Sequence, residues 1–592
     1  MVSLAKLQEV PPRNMILLVG PPGSGKSAFC EQTALQNLAD EKPVIYVTTK
    51  CVPSRIEEAL EERGLGEIEP GLLSFVDAYN RTVGVSVSDR VDTVYADCND
   101  LSSIDIAIFK LAEQKKRKGV LLVFDSLTSP YLFNGVEILR FMTQTLLRFA
   151  AKGNAVVACI DEGCGKDEDF VAMISLSDGA IKTEAKGDKR VFDVVKHPKL
   201  TSTRIEVPLE RQQAVLRFNF DDYDPHETGK LLVAMLRGHE ATMRPMVGDY
   251  VNLFWPTLVH WSGMLWDLKR FPVMKYDLNK EEESLAQDTI KFFPWHWKFF
   301  VKTYSKFFAP RKLNSVKGMK KAVTKFFGSL LKQERSGLVE YLEDVSKTDE
   351  HYIRVYESVD CCGFENVGAS MGLYLPSIIA GKLKGFGEEK IDWNAVETKC
   401  VGLGDPYCEF KLVPGEIDGL KSVLEKDSSV AERIRERVMN RLMDFFVDGK
   451  PLVERPTLGS EVHFHVVWHV MGFPYEAGER YQVALRMGGA KAGREVGEHM
   501  LESGIEGDGA VKRVLYLLEH CKVGEVSIDE TIKIKENIES SYTWTMKTKP
   551  TEPSCYFTTG FLNGFFSAVR NQHVKETKCI AMGDPYCEWE FR

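Results

Sequence analysis

One segment that is rich in possible metal ligands occurs twice in this sequence of 592 residues. It reads ETKCVGLGDPYCEF over residues 397–410 and ETKCIAMGDPYCEW over residues 576–589, an offset of 179 residues. Both copies contain the pattern E-x-x-C-x7-C, and the Gly-Asp-Pro turn between the cysteines can bring two thiolates to one point. Cysteine and glutamate side chains are typical zinc ligands. The repeat predicts an internal duplication with a candidate metal site in each half.

The second copy offers a complete set of ligands. One more cysteine precedes it, so the candidate ligands are Cys555, Glu576, Cys579 and Cys587. Three thiolates and one carboxylate would form a closed tetrahedral zinc site of the structural kind, with no position left for a catalytic water. The other interpretation is a group of reduced cysteines that pack in the interior beside a surface glutamate.

The first copy offers three candidate ligands, Glu397, Cys400 and Cys408. When Gly372 is aligned on Gly560, Val367 stands opposite Cys555, so the fourth ligand is missing at that place. The cysteines at 361–362 could reach the site from a few residues earlier, but the register of the alignment disfavours them. The sequence leaves open whether the first copy binds zinc.

A phosphate-binding loop follows the first apolar run. Residues 15–19 read MILLV, which is typical of a buried strand, and GPPGSGKS and a helical pattern come directly after it. In this context the loop amides wrap phosphates, Lys26 pairs with the β- and γ-phosphates, and Ser27 binds Mg²⁺. A further magnesium ligand, Asp125, ends the apolar run at 119–126. The predicted nucleotide-binding residues are Gly20, Pro21, Pro22, Gly23, Ser24, Gly25, Lys26, Ser27 and Asp125.

Further apolar runs at 43–49 and 154–161 alternate with helical patterns. Such alternation predicts an α/β domain with a parallel sheet that helices cover on both faces. This part of the chain resembles the RecA-like ATPases of the KaiC and archaeal RadA-related group, through GPPGSGKS, YVTTKCVPSRI, LLSFVDAYN, LLVFDS and SDGAIKTEAKGDKRVFDVVKHPK. The resemblance covers about residues 1–222. It implies ATP and Mg²⁺ as ligands and a homo-oligomer with the nucleotide between subunits.

The end of the second strand departs from that group. There the group usually carries a glutamate that activates the attacking water, whereas this chain has Lys50 and Cys51. A lysine is not a general base unless it is strongly desolvated. The sequence therefore favours nucleotide binding over hydrolysis, although Asp161, Glu162 or a neighbouring subunit could supply the base, and ATPase activity stays open.

The rest of the chain divides into two α+β repeats. An acidic stretch at 221–227 precedes a first repeat over 228–413, a helical linker over 414–442 and a second repeat over 443–592. The first repeat carries an insert near 291–325 with ten Lys or Arg residues, no acidic residue and many aromatic residues. Such an insert can suit a protein partner or an anionic surface. The alternative is a helical pair that packs its phenylalanines inward.

Both repeats resemble the 4-vinyl-reductase family of small-molecule-sensing domains, on the strength of the cysteine and glutamate pattern given above. The resemblance implies zinc at these residues and a buried apolar pocket for a small hydrophobic effector.

Charge and hydropathy limit the class of protein. The formal net charge is −9, which disfavours specific nucleic-acid binding. No secretory signal and no transmembrane segment is evident, so we expect a cytoplasmic protein. The leading hypothesis is an ATP-binding regulatory protein that couples a nucleotide switch to ligand sensing. The alternatives are an ATPase that remodels a partner, and a tetrapyrrole or lipid carrier with nucleotide-controlled release.

Overall fold

A computed structural model describes residues 4–592 except 67, 86–89, 116–118, 188, 202, 209–223, 225–226, 228–229, 231–237, 266–312, 314, 373–374, 377, 381–382, 384–392, 416–428, 465, 467–478, 506, 548 and 551. The chain forms two units, Met1–Ala214 and Val215–Arg592, each with its own interior. They are described separately.

The first unit is built on one nine-stranded sheet with the order β4-β3-β2-β5-β6-β1-β7-β8-β9. Its strands are β1 Met15–Gly20, β2 Val44–Thr48, β3 Leu73–Asp77, β4 Thr93–Tyr95, β5 Leu121–Asp125, β6 Ala155–Asp161, β7 Gly179–Lys186, β8 Lys189–Lys196 and β9 Arg204–Pro208. From β4 to β7 the strands pair in parallel, and β1, β2, β3 and β5 are buried throughout. The predicted mostly parallel α/β sheet is confirmed, whereas the antiparallel hairpins β7–β9 were not predicted.

Helices flank this sheet. They are α1 Leu4–Gln8, α2 Lys26–Ala39, α3 Pro53–Glu62, α4 Leu101–Gln114, α5 Thr128–Asn134, α6 Glu137–Phe141, α7 Arg148–Ala151 and α8 Asp167–Leu176. A π-helical turn, Met142–Leu147, joins α6 to α7. The glycine loop ends at Gly25, which has a φ of 96° and stands just before α2. Glycine adopts this left-handed conformation without a steric penalty, so it allows a sharp change of direction from loop to helix.

The second unit contains two four-stranded antiparallel sheets of the same topology. Their orders are β11-β12-β14-β13 and β16-β17-β19-β18. The strands of this unit are β10 Tyr250–Asn252, β11 Leu338–Tyr341, β12 His351–Tyr356, β13 Trp393–Lys399, β14 Cys408–Pro414, β15 Glu461–His463, β16 Glu525–Ile528, β17 Thr531–Lys535, β18 Val574–Lys578 and β19 Cys587–Phe591. The equal topology agrees with the internal duplication in the sequence.

The described helices of the second unit are α9 Phe254–Leu265, α10 Val316–Lys321, α11 Gly328–Glu334, α12 Ser429–Met443, α13 Glu479–Glu502, α14 Asp508–His520 and α15 Tyr556–Arg570. Shorter helical turns occur at Ala322–Phe327, Val401–Leu403, Asp444–Asp448, Ile538–Thr545 and Ile580–Met582. Helix α12 buries its residues at helical spacing, as predicted for the linker. Most of the basic insert near 291–325 lies outside the described residues, and its described part forms α10 and the turn that follows.

Helices α13 and α15 approach each other more closely than side chains would allow. A Cβ atom at Gly564 would lie 1.8 Å from the carbonyl oxygen of Ala490, and one at Gly493 would lie 2.0 Å from that of Phe561. Glycine is required at both positions because the two backbones are in contact there. Within the described part of the chain, no helix combines the length and apolar character that a membrane crossing needs.

The two repeats exchange their leading segments. Arg244 of the first repeat is fully buried and donates hydrogen bonds to the carbonyl oxygens of Glu536 and Val523 in the second repeat, both at 3.1 Å. Conversely, Arg455 of the second repeat donates to the carbonyl oxygen of Arg335 in the first repeat at 2.6 Å. Strands β10 and β15 pair antiparallel between these two arms. Each repeat therefore holds the arm of the other.

Candidate functional site

The sheet register of the first unit brings the candidate nucleotide residues together. Gly20 pairs with Asp161, and Thr48 pairs with Asp125, so the carboxyl ends of four strands meet at one edge. Ligands bind at this edge in parallel α/β sheets, because loops and helix N-termini gather there. The structure thus joins the glycine loop and Asp125, which lie far apart in the sequence.

The P-loop lysine is held inside the loop. Lys26 Nζ donates to the carbonyl oxygens of Gly20 and Pro21, both at 2.7 Å, and forms an ion pair with Asp161 at 2.9 Å. The hydroxyl of Ser24 lies 3.2 Å from the same ammonium group. Lys26 is therefore poised beside the loop amides, and it must exchange these partners for phosphate oxygens when a nucleotide binds.

Both predicted magnesium ligands are present and adjacent. Ser27 Oγ donates to Asp125 Oδ1 at 3.2 Å, and Tyr46 donates to the other carboxylate oxygen at 3.2 Å. Lys50 also reaches this pair, with Nζ 2.9 Å from Asp125 Oδ1 and 3.3 Å from Ser27 Oγ. Burial opposes the charged form, but nearby acidic groups, Asp125 among them, raise the pKa of Lys50 above its ordinary value. Lys50 is therefore a cation at physiological pH.

Two residues of this site were not predicted to have these roles. Arg190 on β8 crosses the glycine loop, since a Cβ atom at Gly25 would lie 2.6 Å from Arg190 Cδ. Its Nε is buried and has no hydrogen-bond partner among the described residues. Asp161, considered above as a substitute base, has one oxygen on Lys26 and the other accepts from Thr128 at 3.2 Å.

The four predicted ligands of the second repeat form one buried cluster, with all ligand atoms within 4.8 Å of one another. Its sulfur–sulfur distances are 3.8 Å for Cys555–Cys579, 3.6 Å for Cys555–Cys587 and 4.0 Å for Cys579–Cys587. Bonded sulfurs in a disulfide lie about 2.05 Å apart. Tetrahedral zinc with Zn–S bonds of about 2.3 Å separates its sulfurs by about 3.8 Å, so this arrangement fits zinc.

The carboxylate of this cluster also fits a cation. Glu576 Oε2 accepts a hydrogen bond from Thr559 at 3.1 Å, whereas Oε1 is buried without a hydrogen-bond partner among the described residues. Burial, and then the nearby Cys579, raise the pKa of Glu576 well above its ordinary value. A buried oxygen without a donor is costly, and a bound metal ion would remove that cost.

Local structure positions these ligands. Glu576 lies on β18 at a bulge, Cys587 opens the paired strand β19, and Cys555 stands just before α15. Asp584 in the turn accepts from the backbone N–H of Cys579 at 2.9 Å and so holds the turn closed. Burial opposes ionisation, but hydrogen bonds from the other two thiols lower the pKa of Cys587 to about 5.

The first repeat contains an equivalent cluster. Glu397, Cys400 and Cys408 come together with a fourth residue, Cys361. Cys361 Sγ lies 3.6 Å from Cys400 Sγ and 3.2 Å from Cys408 Sγ. A hydrogen bond from Cys361, and then one from Cys408, lower the pKa of Cys400. The alignment that placed Val367 at this position is wrong, because the missing thiol comes from a different segment of the repeat.

The two repeats thus supply their extra thiol from different places. At the offset of 179 residues that relates the two copies of the repeated segment, Cys361 corresponds to Ser540, not to Cys555. Ser540 is buried, and its Oγ lies 3.7 Å from Cys587 Sγ. Serine therefore occupies in the second repeat the place that cysteine has in the first.

Comparison with known proteins agrees with these sites. The family model for KaiC matches residues 6–205, and the model for the 4-vinyl-reductase domain matches residues 534–592. A UPF0273 protein of Methanocaldococcus jannaschii is 33% identical over 130 residues, which cover 21% of this chain and 51% of that protein. One of Methanopyrus kandleri is 31% identical over 126 residues, or 21% and 49%. The match spans about half the length of these relatives.

A solved structure of a KaiC-like protein from Pyrococcus horikoshii was also matched, with a TM-score of 0.27 and 16% identity over 34% of this chain and 86% of that one. By the two family models, the chain carries a KaiC-like, RecA-type ATPase domain in its N-terminal part and a 4-vinyl-reductase domain in its C-terminal part.

Proposed function

We propose that this protein is an ATP-binding regulator in which a weakly hydrolysing nucleotide domain is coupled to two zinc-containing domains that sense a small hydrophobic effector. The nucleotide domain covers 1–222, and the sensing domains cover 228–413 and 443–592 with a linker at 414–442. Effector binding shifts nucleotide occupancy or the state of a homo-oligomer, and by linkage the nucleotide changes effector affinity by the same factor.

The observation that carries this proposal is the position of Lys50. It contacts Asp125 at 2.9 Å, at the end of β2, where a hydrolysing enzyme of this type has a carboxylate. A cation at that position cannot accept a proton from water. The other nearby carboxylate, Asp161, is engaged by Lys26. The site therefore has the parts for binding ATP and lacks an available base for cleaving it among the described residues.

The cysteine clusters support a sensing role rather than catalysis in the repeats. Three thiolates and one carboxylate complete a tetrahedral shell, so zinc held by Cys555, Glu576, Cys579 and Cys587 has no open position for a water or a substrate. The cluster of the first repeat has the same donor set. Zinc at these places would stabilise the fold and fix the loops around it. The effector site itself we assign to the apolar interior of the repeats.

The test is ATP binding and phosphate release on the same purified chain. We expect the wild type to bind ATP and to release phosphate negligibly. Lys50→Glu supplies a carboxylate at the end of β2 and should raise turnover at least about tenfold, because a general base contributes about 10²- to 10⁴-fold.

Lys50→Gln is the matched control, since it removes the ammonium group without adding a base, and it should stay as slow as the wild type. Ordinary turnover by the wild type would instead identify an active ATPase, with its base elsewhere. A visible absorbance band in the purified protein would favour a tetrapyrrole carrier.

A further inference from the structure

Lys50 contacts both atoms that were predicted to hold magnesium. Its ammonium nitrogen lies 2.9 Å from Asp125 Oδ1 and 3.3 Å from Ser27 Oγ, and these two oxygens lie 3.2 Å apart. A hydroxyl and a carboxylate are suitable magnesium donors, so the oxygens alone fit the ion. The ammonium group, which makes hydrogen bonds to the same two oxygens, does not.

The distances make the conflict specific. Magnesium binds oxygen at about 2.1 Å, so an ion bonded to both oxygens would lie within about 4 Å of the Lys50 nitrogen wherever it sits around them. A divalent cation and an ammonium group repel each other strongly at that separation. Either the lysine leaves when the ion arrives, or the ion does not bind there.

The backbone around Lys50 is fixed beside Asp125. The N–H of Thr49 donates to the carbonyl oxygen of Asp125 at 3.1 Å, and its hydroxyl donates to that of Ser126 at 2.8 Å. On the other side, Thr48 Oγ1 donates to the carbonyl oxygen of Cys51 at 2.7 Å. These bonds hold residues 48–51 against the end of β5. The side chain of Lys50 therefore starts next to the carboxylate and stays within reach of it.

We propose that Lys50 serves as a built-in cation in place of magnesium, so that this site binds ATP as the metal-free anion. The inference rests on the proposed binding of ATP. The side chain of Lys50 is 34% exposed, which leaves its ammonium group accessible to a phosphate. Its single positive charge neutralises Asp125 and faces the phosphates that Lys26 and the loop amides hold.

The test compares ATP affinity in EDTA with affinity in excess MgCl2, by titration calorimetry. The wild type should bind with affinities that agree within about threefold. Lys50→Met keeps the length of the side chain and removes the charge, so its affinity in EDTA should fall at least about tenfold because Asp125 then repels the phosphates. Magnesium should restore binding to this variant. Lys50→Arg, which retains the charge, should behave as the wild type.

Lys42→Met is the matched control, since Lys42 is a comparably exposed lysine paired with Asp40 at 3.2 Å. It should leave both affinities unchanged. Manganese bound with ATP gives a second measurement, and its electron paramagnetic resonance spectrum should show protein-bound ions for Lys50→Met and not for the wild type.

Wild-type binding that requires magnesium, or protein-bound manganese in the wild type, would overturn the inference and leave the proposed function intact. An absence of ATP binding in both buffers would overturn both.

Discussion

The difference between the two cysteine clusters leads to a test in which a ligand is moved. Cys555→Ala should weaken zinc binding in the second repeat, because it leaves two thiolates and Glu576. Adding Ser540→Cys to this variant should restore binding. Position 540 corresponds to Cys361 in the repeat offset, and Ser540 Oγ already lies 3.7 Å from Cys587 Sγ. In the first repeat the matching distance, from Cys361 to Cys408, is 3.2 Å.

The magnitude follows from the number of ligands. A structural zinc ion contributes about 10–16 kcal/mol of apparent binding free energy in small peptides. If four ligands share this equally, one thiolate contributes about 3 kcal/mol, or about 100-fold in affinity. The single variant should therefore lose the zinc of its second repeat to a chelator under conditions in which the wild type keeps it.

Zinc content after dialysis against EDTA is the assay. The wild type should retain zinc in both clusters, Cys555→Ala about half of that amount, and the double variant the full amount. Ser540→Cys alone is the control and should bind as the wild type does. If the double variant stays at half although it is folded, the equivalence of positions 361 and 540 is refuted. If Cys555→Ala keeps all its zinc, Cys555 is not a ligand.

Three further predictions concern stability, measured by urea denaturation with tryptophan fluorescence. Arg244→Met leaves buried carbonyl oxygens without donors and should destabilise the second unit by about 3 kcal/mol, whereas Lys512→Met on α14 should have little effect. Gly564→Leu should separate α13 from α15 and cost at least about 3 kcal/mol, whereas Gly509→Ala, with open space around it, should be neutral or slightly stabilising. Burial lowers the pKa of Lys115 to about 8 from its ordinary value of 10.5. Because the unfolded chain then binds more protons in this interval, stability should rise from pH 8 to 10.5, and Lys115→Met should abolish that part of the rise.

The parts of the protein that were predictable from the sequence are local ones. The strand, glycine loop and helix at 15–39 follow one another in the sequence, so their spacing alone indicated the phosphate site. Asp125 was predicted because it ends an apolar run. The ligands Cys579 and Cys587 were predicted because a single turn joins them.

The rest depends on pairing between distant segments. The contact of Lys50 with Asp125 arises from the parallel register of β2 and β5, and the position of Arg190 from an antiparallel hairpin that sequence periodicity did not indicate. Cys361 was misplaced because an alignment by sequence assumes that equivalent ligands come from equivalent positions. The structure shows instead that the cluster is formed by whichever segment passes close to it.

The exchanged arms have a consequence for how the repeats can change over time. Two separate chains that traded such arms would have to find each other in solution and would part on dilution, whereas a covalent tether makes the encounter intramolecular and independent of protein concentration. A pair of identical chains must also carry every mutation twice. In one chain each half can vary alone while its partner holds it folded, and the different origins of the thiols of Cys361 and Cys555 are a product of that freedom.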